Sequence, residues 1–203
     1  MNRILCAGLL ALGALVATPL FAAGSAIKPG RYDAMLLAVT PDHQVQGYYL
    51  EELGEGVSRR CTFYLQGAID GPSPAPITTW RTEALPGSIA ASDKGVVLTV
   101  ARGDEHPGCS SVLGPMIGKG LPLQRIDTRP WIGLVSIAAD KAYLLKAPGS
   151  KAGKRPYIIK NDVVGVLEYK DGWARVEYVN GDDRSFKGWI RADQYAKLVP
   201  PQG

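Results

Sequence analysis

The residues that could do chemistry gather in one short stretch, Gly103-Asp104-Glu105-His106-Pro107-Gly108-Cys109-Ser110. A cysteine beside a histidine could be a nucleophile with its general base, and Glu105, His106 and Cys109 could together hold a metal ion. Thiol catalysis also needs an electropositive setting, whereas Asp104 and Glu105 make this stretch acidic. We therefore expect Asp104 and Glu105 to be solvated turn residues, and we assign no catalytic residue and no metal ligand.

Motifs for other kinds of catalysis are missing from the sequence. The two histidines of the chain, His43 and His106, both fall in stretches that we predict to be turns. The metal patterns His-x-x-x-His and Cys-x-x-Cys are absent, as are Gly-x-Ser-x-Gly and a glycine loop for phosphate. The sequence therefore predicts a non-enzymatic protein with no cofactor.

The first residues are typical of a secretory signal peptide. Arg3 precedes an uncharged apolar run over residues 4–17, and the small residues that follow favour cleavage after Ala22 or Ala23. The run is shorter than the roughly 20 residues that a membrane-spanning helix needs. We therefore expect residues 1–23 to be a signal peptide, and the protein to be periplasmic or secreted with no membrane span.

The cysteines fit such a compartment. Removal of the signal peptide takes Cys6 away and leaves Cys61 and Cys109. Because extracytoplasmic compartments are oxidising, we predict a single disulfide between these two residues.

Charge is distributed unevenly along the chain. Residues 24–129 contain 10 basic and 11 acidic residues, whereas residues 130–203 contain 12 basic and 8 acidic residues. Because the positive excess lies in the second half, an acidic partner suits that half better than a basic one. Nucleic acid is not expected as a partner of an exported chain with so modest a charge.

The first half is typical of an all-β protein, because short runs rich in Val, Ile, Thr and Tyr alternate with Gly, Pro and Asp clusters. The predicted strands are Tyr32–Val39, Val45–Glu51, Arg60–Gly67, Ile77–Arg81, Ser88–Ala91, Val96–Ala101 and Leu123–Ile126. Sequential hairpins favour a closed antiparallel β-barrel, since closure removes the sheet edges, with a β-sandwich as the alternative. The patterns Gly30-Arg31-Tyr32, Gln46-Gly47-Tyr48-Tyr49 and Cys61-Thr62-Phe63 resemble up-and-down barrels of the lipocalin and avidin type.

The second half carries four motifs in a recognisable order. They are Leu144 to Pro148, Asp162, Gly172-Trp173-Ala174-Arg175-Val176 and Gly188-Trp189-Ile190. In this order they resemble the bacterial SH3 (SH3b-like) domain family, which implies a small β-barrel with a 3₁₀ turn near residues 192–195. We therefore divide the chain into an antiparallel β domain over residues 24–130 and an SH3-like domain over residues 131–200.

Alternation along one strand of this half predicts which side chains face its core. In Trp173–Val179 the residues Ala174, Val176 and Tyr178 share one face, and Trp173, Arg175 and Glu177 share the other.

The resemblance also implies a binding groove, because related SH3 domains receive peptide or protein between loops on a floor of aromatic residues. Here the floor would hold Tyr143, Tyr157 and Trp173, and the rim would hold Lys151, Lys154 and Arg155. Each of these could instead be an ordinary core aromatic or a lysine that only solubilises a loop.

The leading functional prediction is an exported binding protein whose SH3-like domain docks on a protein or on cell-wall peptide. One alternative is a periplasmic immunity or inhibitor protein that neutralises a cell-envelope toxin or enzyme. Another is a β-barrel that binds a small ligand inside the first half. An apolar cavity within that half would favour the last alternative.

Overall fold

The structure is a computed structural model that describes residues 26–71 and 73–201. The predicted signal peptide, residues 1–23, lies outside the described residues. Within them the protein is all-β, as predicted, with one short helix, α1 (Met116–Lys119), and 3₁₀ turns at Gly103–Glu105 and Ala192–Gln194. No helix of the described part of the chain is both long enough and apolar enough to cross a membrane.

Eight strands of the first half form a closed antiparallel barrel in chain order, which confirms the barrel prediction. They are β1 (Gly30–Tyr32), β2 (Met35–Val39), β3 (Gln44–Leu53), β4 (Arg59–Ala68), β5 (Ala75–Trp80), β6 (Ala84–Ala91), β7 (Gly95–Thr99) and β8 (Leu121–Thr128). Strand β8 pairs with β1 and closes the barrel, so no edge of this sheet is left open.

The single strand predicted over Tyr32–Val39 is wrong, because it is two strands. The chain turns at Asp33 and Ala34, and Tyr32 of β1 faces Met35 of β2 across the hairpin. The exposed Asp33 carboxylate accepts a hydrogen bond of 2.8 Å from the backbone N–H of Gln124 in β8. This contact from a distant strand holds the turn, which has no glycine or proline of its own.

Side chains from alternate positions fill the inside of the barrel. In β3, for example, Val45, Gly47 and Tyr49 point inward and are buried, whereas Gln46 and Tyr48 between them point outward. The fully buried interior set includes Leu37, Val45, Tyr49, Phe63, Leu65, Ile89 and Leu98. Packed side chains thus occupy the interior, where a barrel that binds a small ligand would have a cavity.

Residues 100–120 link β7 to β8 and cover one end of the barrel. Val100, Leu113 and Ile117 of this segment are buried and belong to the barrel core. The Cys61–Cys109 disulfide, with an S–S distance of 2.01 Å, joins the segment to β4 as predicted. We call residues 100–120 the cap segment.

The second half consists of a five-stranded antiparallel sheet and a two-stranded hairpin. The strands are β9 (Gly133–Ile137), β10 (Lys141–Tyr143), β11 (Tyr157–Ile159), β12 (Val163–Lys170), β13 (Trp173–Val179), β14 (Ser185–Arg191) and β15 (Tyr195–Lys197). The sheet order is β14-β13-β12-β9-β15, and β10 pairs with β11. The 3₁₀ turn at Ala192–Gln194 lies between β14 and β15, where the sequence predicts one.

Alternation predicts that β13 has one buried face and one exposed face, but the structure buries a residue on each face. Ala174 and Val176 enter the core of the second half, as predicted, and Tyr178 packs against that core. Glu177 lies on the opposite face, yet it is only 1% exposed. A strand of this kind usually turns such a residue to water, so something must cover this face.

The barrel provides that cover, because the two halves pack against each other. Ala38 and Trp80 of the barrel share an apolar cluster with Trp131, Leu134, Val163 and Leu198. The backbone N–H of Val39 donates to the carbonyl of Trp131 at 3.3 Å, and the N–H of Leu134 donates to Oε1 of Gln46 at 2.9 Å. The predicted division after residue 130 falls between β8 and β9, in this contact region.

Gly165 of β12 makes the central contact of that cluster possible. A Cβ atom at Gly165 would lie 2.3 Å from ring atoms of Trp131, so only glycine lets the indole lie flat on the strand. Glu177 is the cross-strand neighbour of Gly165 in β13. Trp131 therefore covers both residues and fixes the second half against the barrel.

Candidate functional site

The histidine of the acidic cluster is a core residue. His106 is 3% exposed, its Nε2 lies 2.9 Å from Oγ1 of Thr79, and its ring stacks on Phe63 at 4.9 Å. Phe63 in turn stacks on Tyr49 at 4.8 Å inside the barrel. Burial lowers the pKa of His106, which favours the neutral ring. The prediction of a turn holds for its backbone, but the side chain points into the core.

The other members of that cluster point elsewhere. Cys109 is bonded to Cys61, and Glu105 faces solvent, where it accepts a hydrogen bond of 2.7 Å from Nε of Arg102. This hydrogen bond and the charge of Arg102 lower the pKa of Glu105 despite a small opposing effect of burial. Glu105, His106 and Cys109 therefore do not converge on one point, as a catalytic or metal site requires.

Two of the predicted groove residues meet on the β10–β11 hairpin. Tyr143 and Tyr157 are cross-strand partners, and their rings make an edge contact with centroids 5.6 Å apart. Nζ of Lys141 lies 4.7 Å from the centroid of the Tyr157 ring, within the range of a cation–π contact.

The other four predicted groove residues are spread over the second half. Lys151 and Lys154 are exposed in the loop between β10 and β11. Arg155 is half-buried, and its Nε donates to the carbonyl of Leu144 at 2.8 Å. Trp173 begins β13 opposite Arg191. Within residues 26–71 and 73–201, no ring contact joins Trp173 to Tyr143 or Tyr157.

Arg155 belongs to a small depression that we call the basic pocket, with a volume of about 240 Å³. It is lined by Leu145, Lys146, Arg155, Arg175, Lys187, Gly188 and Trp189. Trp189 of β14 is the cross-strand neighbour of Arg175 in β13. On the other edge of β14, Trp189 forms an isolated antiparallel bridge with Leu145. Four cationic side chains thus surround one half-buried indole.

Three of these cations, Lys146, Arg155 and Arg175, have no acidic partner in the described part of the chain. Lys187 lies 3.4 Å from Glu177, whereas Lys146 and Arg175 are exposed and make no ion pair there. Sequence reasoning missed Arg175, Lys187 and Trp189 as site residues, although alternation does place Arg175 on the outer face. The missing information was the register that brings β14 beside β13.

A larger opening, the interdomain cleft, lies between the barrel and the second half and has a volume of about 720 Å³. Its barrel wall includes Tyr48 and Tyr64, adjacent on β3 and β4 with ring centroids 5.3 Å apart. Its other wall includes Ile159, Lys160 and Tyr178. Sequence motifs could not predict this cleft, because it exists only where the two halves meet.

A chain of ion pairs ties the two walls together beside the cleft. The Asp127 carboxylate accepts hydrogen bonds from Nε of Arg31 at 2.9 Å and from Nη2 of Arg129 at 2.8 Å. Arg31 also contacts Asp183 of the second half at 2.6 Å. Burial alone would raise the pKa of Asp127, but the two guanidinium groups lower it to about 2.

Glu177 continues this network inside the interface. Its carboxylate accepts hydrogen bonds from Nε1 of Trp131 at 2.8 Å, from Nη1 of Arg129 at 3.1 Å and from the hydroxyl of Ser185 at 2.5 Å. Burial opposes ionisation of Glu177, but these bonds and the charges of Arg129 and Lys187 hold its pKa below the ordinary value.

Comparison with known proteins gives no match to this chain among family models, curated proteins or solved structures.

Proposed function

We propose that this chain is an exported, non-enzymatic binding protein whose SH3-like second half docks on an acidic segment of a protein or of cell-wall peptide. The observation that carries the proposal is the basic pocket, where Lys146, Arg155, Arg175 and Lys187 surround Trp189. The 3₁₀ turn before β15, which the resemblance to bacterial SH3 domains implies, supports the assignment of the second half as SH3-like.

The chemistry of the pocket suits recognition of an acidic segment. Exposed cations speed the encounter with an acidic partner. Their attraction for that partner weakens as the salt concentration rises, because charges are screened beyond about 8 Å at physiological ionic strength. A half-buried tryptophan supplies the contact area that charges alone lack, and such anchors contribute about 2 kcal/mol or more at protein interfaces. Trp189 is therefore the anchor, and the four cations set the preference for carboxylates.

The test compares double charge-reversal variants that differ only in the position of the two reversed cations. The mature protein captures its partner from a cell-envelope extract, and the purified partner is then titrated calorimetrically against three double variants of equal net charge. These are Lys146→Glu with Arg175→Glu in the pocket, Lys151→Glu with Lys154→Glu in the loop, and Lys94→Glu with Lys119→Glu on the barrel. All six side chains are exposed, so each variant should fold, as circular dichroism can check.

We expect the pocket variant to lose about tenfold or more in affinity, together with most of its salt dependence. The barrel variant should stay within about twofold of the unchanged protein, since neither of its two lysines lines the pocket. Equal losses in the pocket and barrel variants would show that only net charge matters. A loss confined to the loop variant would move the site to Lys151 and Lys154.

A further inference from the structure

The interdomain cleft differs from the basic pocket in size and in wall chemistry. Its volume of about 720 Å³ lies within the range of roughly 300–1,000 Å³ that small-molecule sites occupy, and such sites are frequent at domain interfaces. Both halves of the chain contribute walls, and the Trp131 contact and the ion pairs of Arg31 hold these walls in place. The cleft is thus preformed.

Apolar side chains that would ordinarily be buried are exposed in this cleft. Leu50 is 38% exposed, Ile126 is 56% exposed and Ile159 is 50% exposed, and all three line it. Isolated exposed apolar residues need no explanation, but three that converge beside the rings of Tyr48 and Tyr64 form an apolar surface for a ligand.

The polar groups of the cleft give it a preference for negative charge. Arg81 and Lys160 line it, are exposed, and make no ion pair within the described residues. The two acids in its wall are already engaged, since Asp33 accepts from the N–H of Gln124 and Asp162 accepts from the N–H of Ile159. Cations therefore remain available to a ligand, whereas the carboxylates face backbone donors.

Arg81 lines the cleft together with the rings of Tyr48 and Tyr64. Burial and the neighbouring Tyr64 raise the pKa of Tyr48, whereas the positive charges of Arg81 and Arg60 act in the opposite direction. Arg60 is already paired with Glu52, so Arg81 is the guanidinium that a ligand can reach beside the tyrosine rings. A cation next to an apolar, aromatic surface is the arrangement that binds an anion with an apolar body.

We propose that the interdomain cleft is a second binding site and that its ligand is a small amphipathic organic anion. The apolar or aromatic body of the ligand lies on Leu50, Ile159 and the tyrosine rings, and its carboxylate, phosphate or sulfonate contacts Arg81 and Lys160. This site shares no residue with the basic pocket, so it can bind a ligand whether or not the pocket binds a partner.

A pair of fluorescent probes tests both parts of this proposal on the mature protein. Anilinonaphthalene sulfonate has an aromatic body with one negative charge, and phenylnaphthylamine has the same body without the charge. We expect the sulfonate to bind at one site per protein in a saturable titration. We expect Arg81→Gln with Lys160→Gln to lower the affinity for the sulfonate on the order of tenfold, because charge-assisted contacts are lost. The affinity for the neutral probe should change less than about twofold.

Two further variants locate the site. Leu50→Ser with Ile159→Ser should weaken both probes, because it removes the apolar surface and leaves the cations in place. Lys146→Gln with Arg175→Gln, in the basic pocket, should leave both probes unaffected. The proposal is wrong if the sulfonate shows no saturable binding, if the Arg81 and Lys160 variant binds it like the unchanged protein, or if the pocket variant loses it instead.

Discussion

Glu177 shows best how single residues depend on their surroundings in this protein. Alternation along β13 correctly separates Glu177 from the core residues Ala174 and Val176. It cannot predict that Trp131 and the barrel cover the opposite face, because that contact joins residues far apart in the sequence. The result is a buried carboxylate with Trp131, Arg129, Ser185 and Lys187 as partners.

Loss of this carboxylate should therefore be costly. We expect Glu177→Ala to lower the free energy of unfolding by about 3 kcal/mol, because it leaves Arg129 and the indole N–H of Trp131 without their buried partner. Urea unfolding at neutral pH measures the change. Glu168→Ala, which removes an exposed carboxylate from the neighbouring strand β12, should change stability by less than about 0.5 kcal/mol. Similar losses in both variants would contradict the role given to Glu177.

His106 leads to a pH dependence of stability. Burial lowers its pKa in the folded protein, so the unfolded chain binds a proton first as pH falls. Stability should therefore decrease as pH falls below about 6.5, the value of a free histidine, and should be fully present above it. His106→Gln should remove this decrease in unfolding free energy between pH 7 and pH 5, whereas His43→Gln, at an exposed turn, should retain it. A decrease that survives in His106→Gln would have to come from other groups.

At the scale of the elements, the sequence predicts strands well and connections poorly. Period-two alternation and turn residues predict seven strands of the first half, and their sequential hairpins predict the closed barrel. The split between β1 and β2 is missed because the turn at Asp33 depends on Gln124 of β8. The sequence does not predict the cap segment as a structural unit. Its residues are buried because they pack on the end of the barrel, and they show no hydrophobic periodicity that would reveal this burial.

At the candidate site, too, the sequence predicts local contacts but not contacts between distant strands. The sequence places Tyr143 and Tyr157 in one predicted groove, and the two rings do meet, because they are cross-strand partners in a single hairpin. The basic pocket needs Arg155 beside Arg175 and Trp189, which depends on the pairing of distant strands. The interdomain cleft depends on the packing of two halves, which no local pattern describes.

The disulfide of the cap segment gives a test at this scale. Cys61→Ala with Cys109→Ala should lower the free energy of unfolding by up to about 4 kcal/mol, the chain-entropy value for the 48-residue separation. Hydrogen exchange should become faster first in residues 100–120, which the bond joins to β4, and should change least in the second half. Equal changes in exchange throughout the chain would contradict this assignment of the cap segment.

At the scale of the whole molecule, the two halves act as one unit because Trp131 connects them. Its indole lies on Gly165, its carbonyl accepts from Val39 of the barrel, and its Nε1 donates to Glu177. The interdomain cleft keeps its shape only while this contact holds.

Gly165→Ala tests that connection, because the added methyl group would displace the indole of Trp131. We expect a loss of about 1–3 kcal/mol in stability, the usual cost of overpacking, together with faster hydrogen exchange at the amide of Val39. Gly181→Ala is the matched control, since a Cβ there meets nothing within 4 Å. If Gly165→Ala behaves like the control, Trp131 does not fix the two halves.

Site-specific photo-crosslinking can show whether the basic pocket contacts an acidic partner. Benzoylphenylalanine replaces Ala147, an exposed residue next to Lys146 of the pocket, or Lys94, an exposed residue of the barrel. The proteins are irradiated in a cell-envelope extract, and the crosslinked peptides are identified by mass spectrometry. We expect a crosslink from position 147 to an Asp- or Glu-rich segment and none to that segment from position 94. Crosslinks to the same partner from position 94 alone, or from position 147 to a segment without acidic residues, would contradict this expectation.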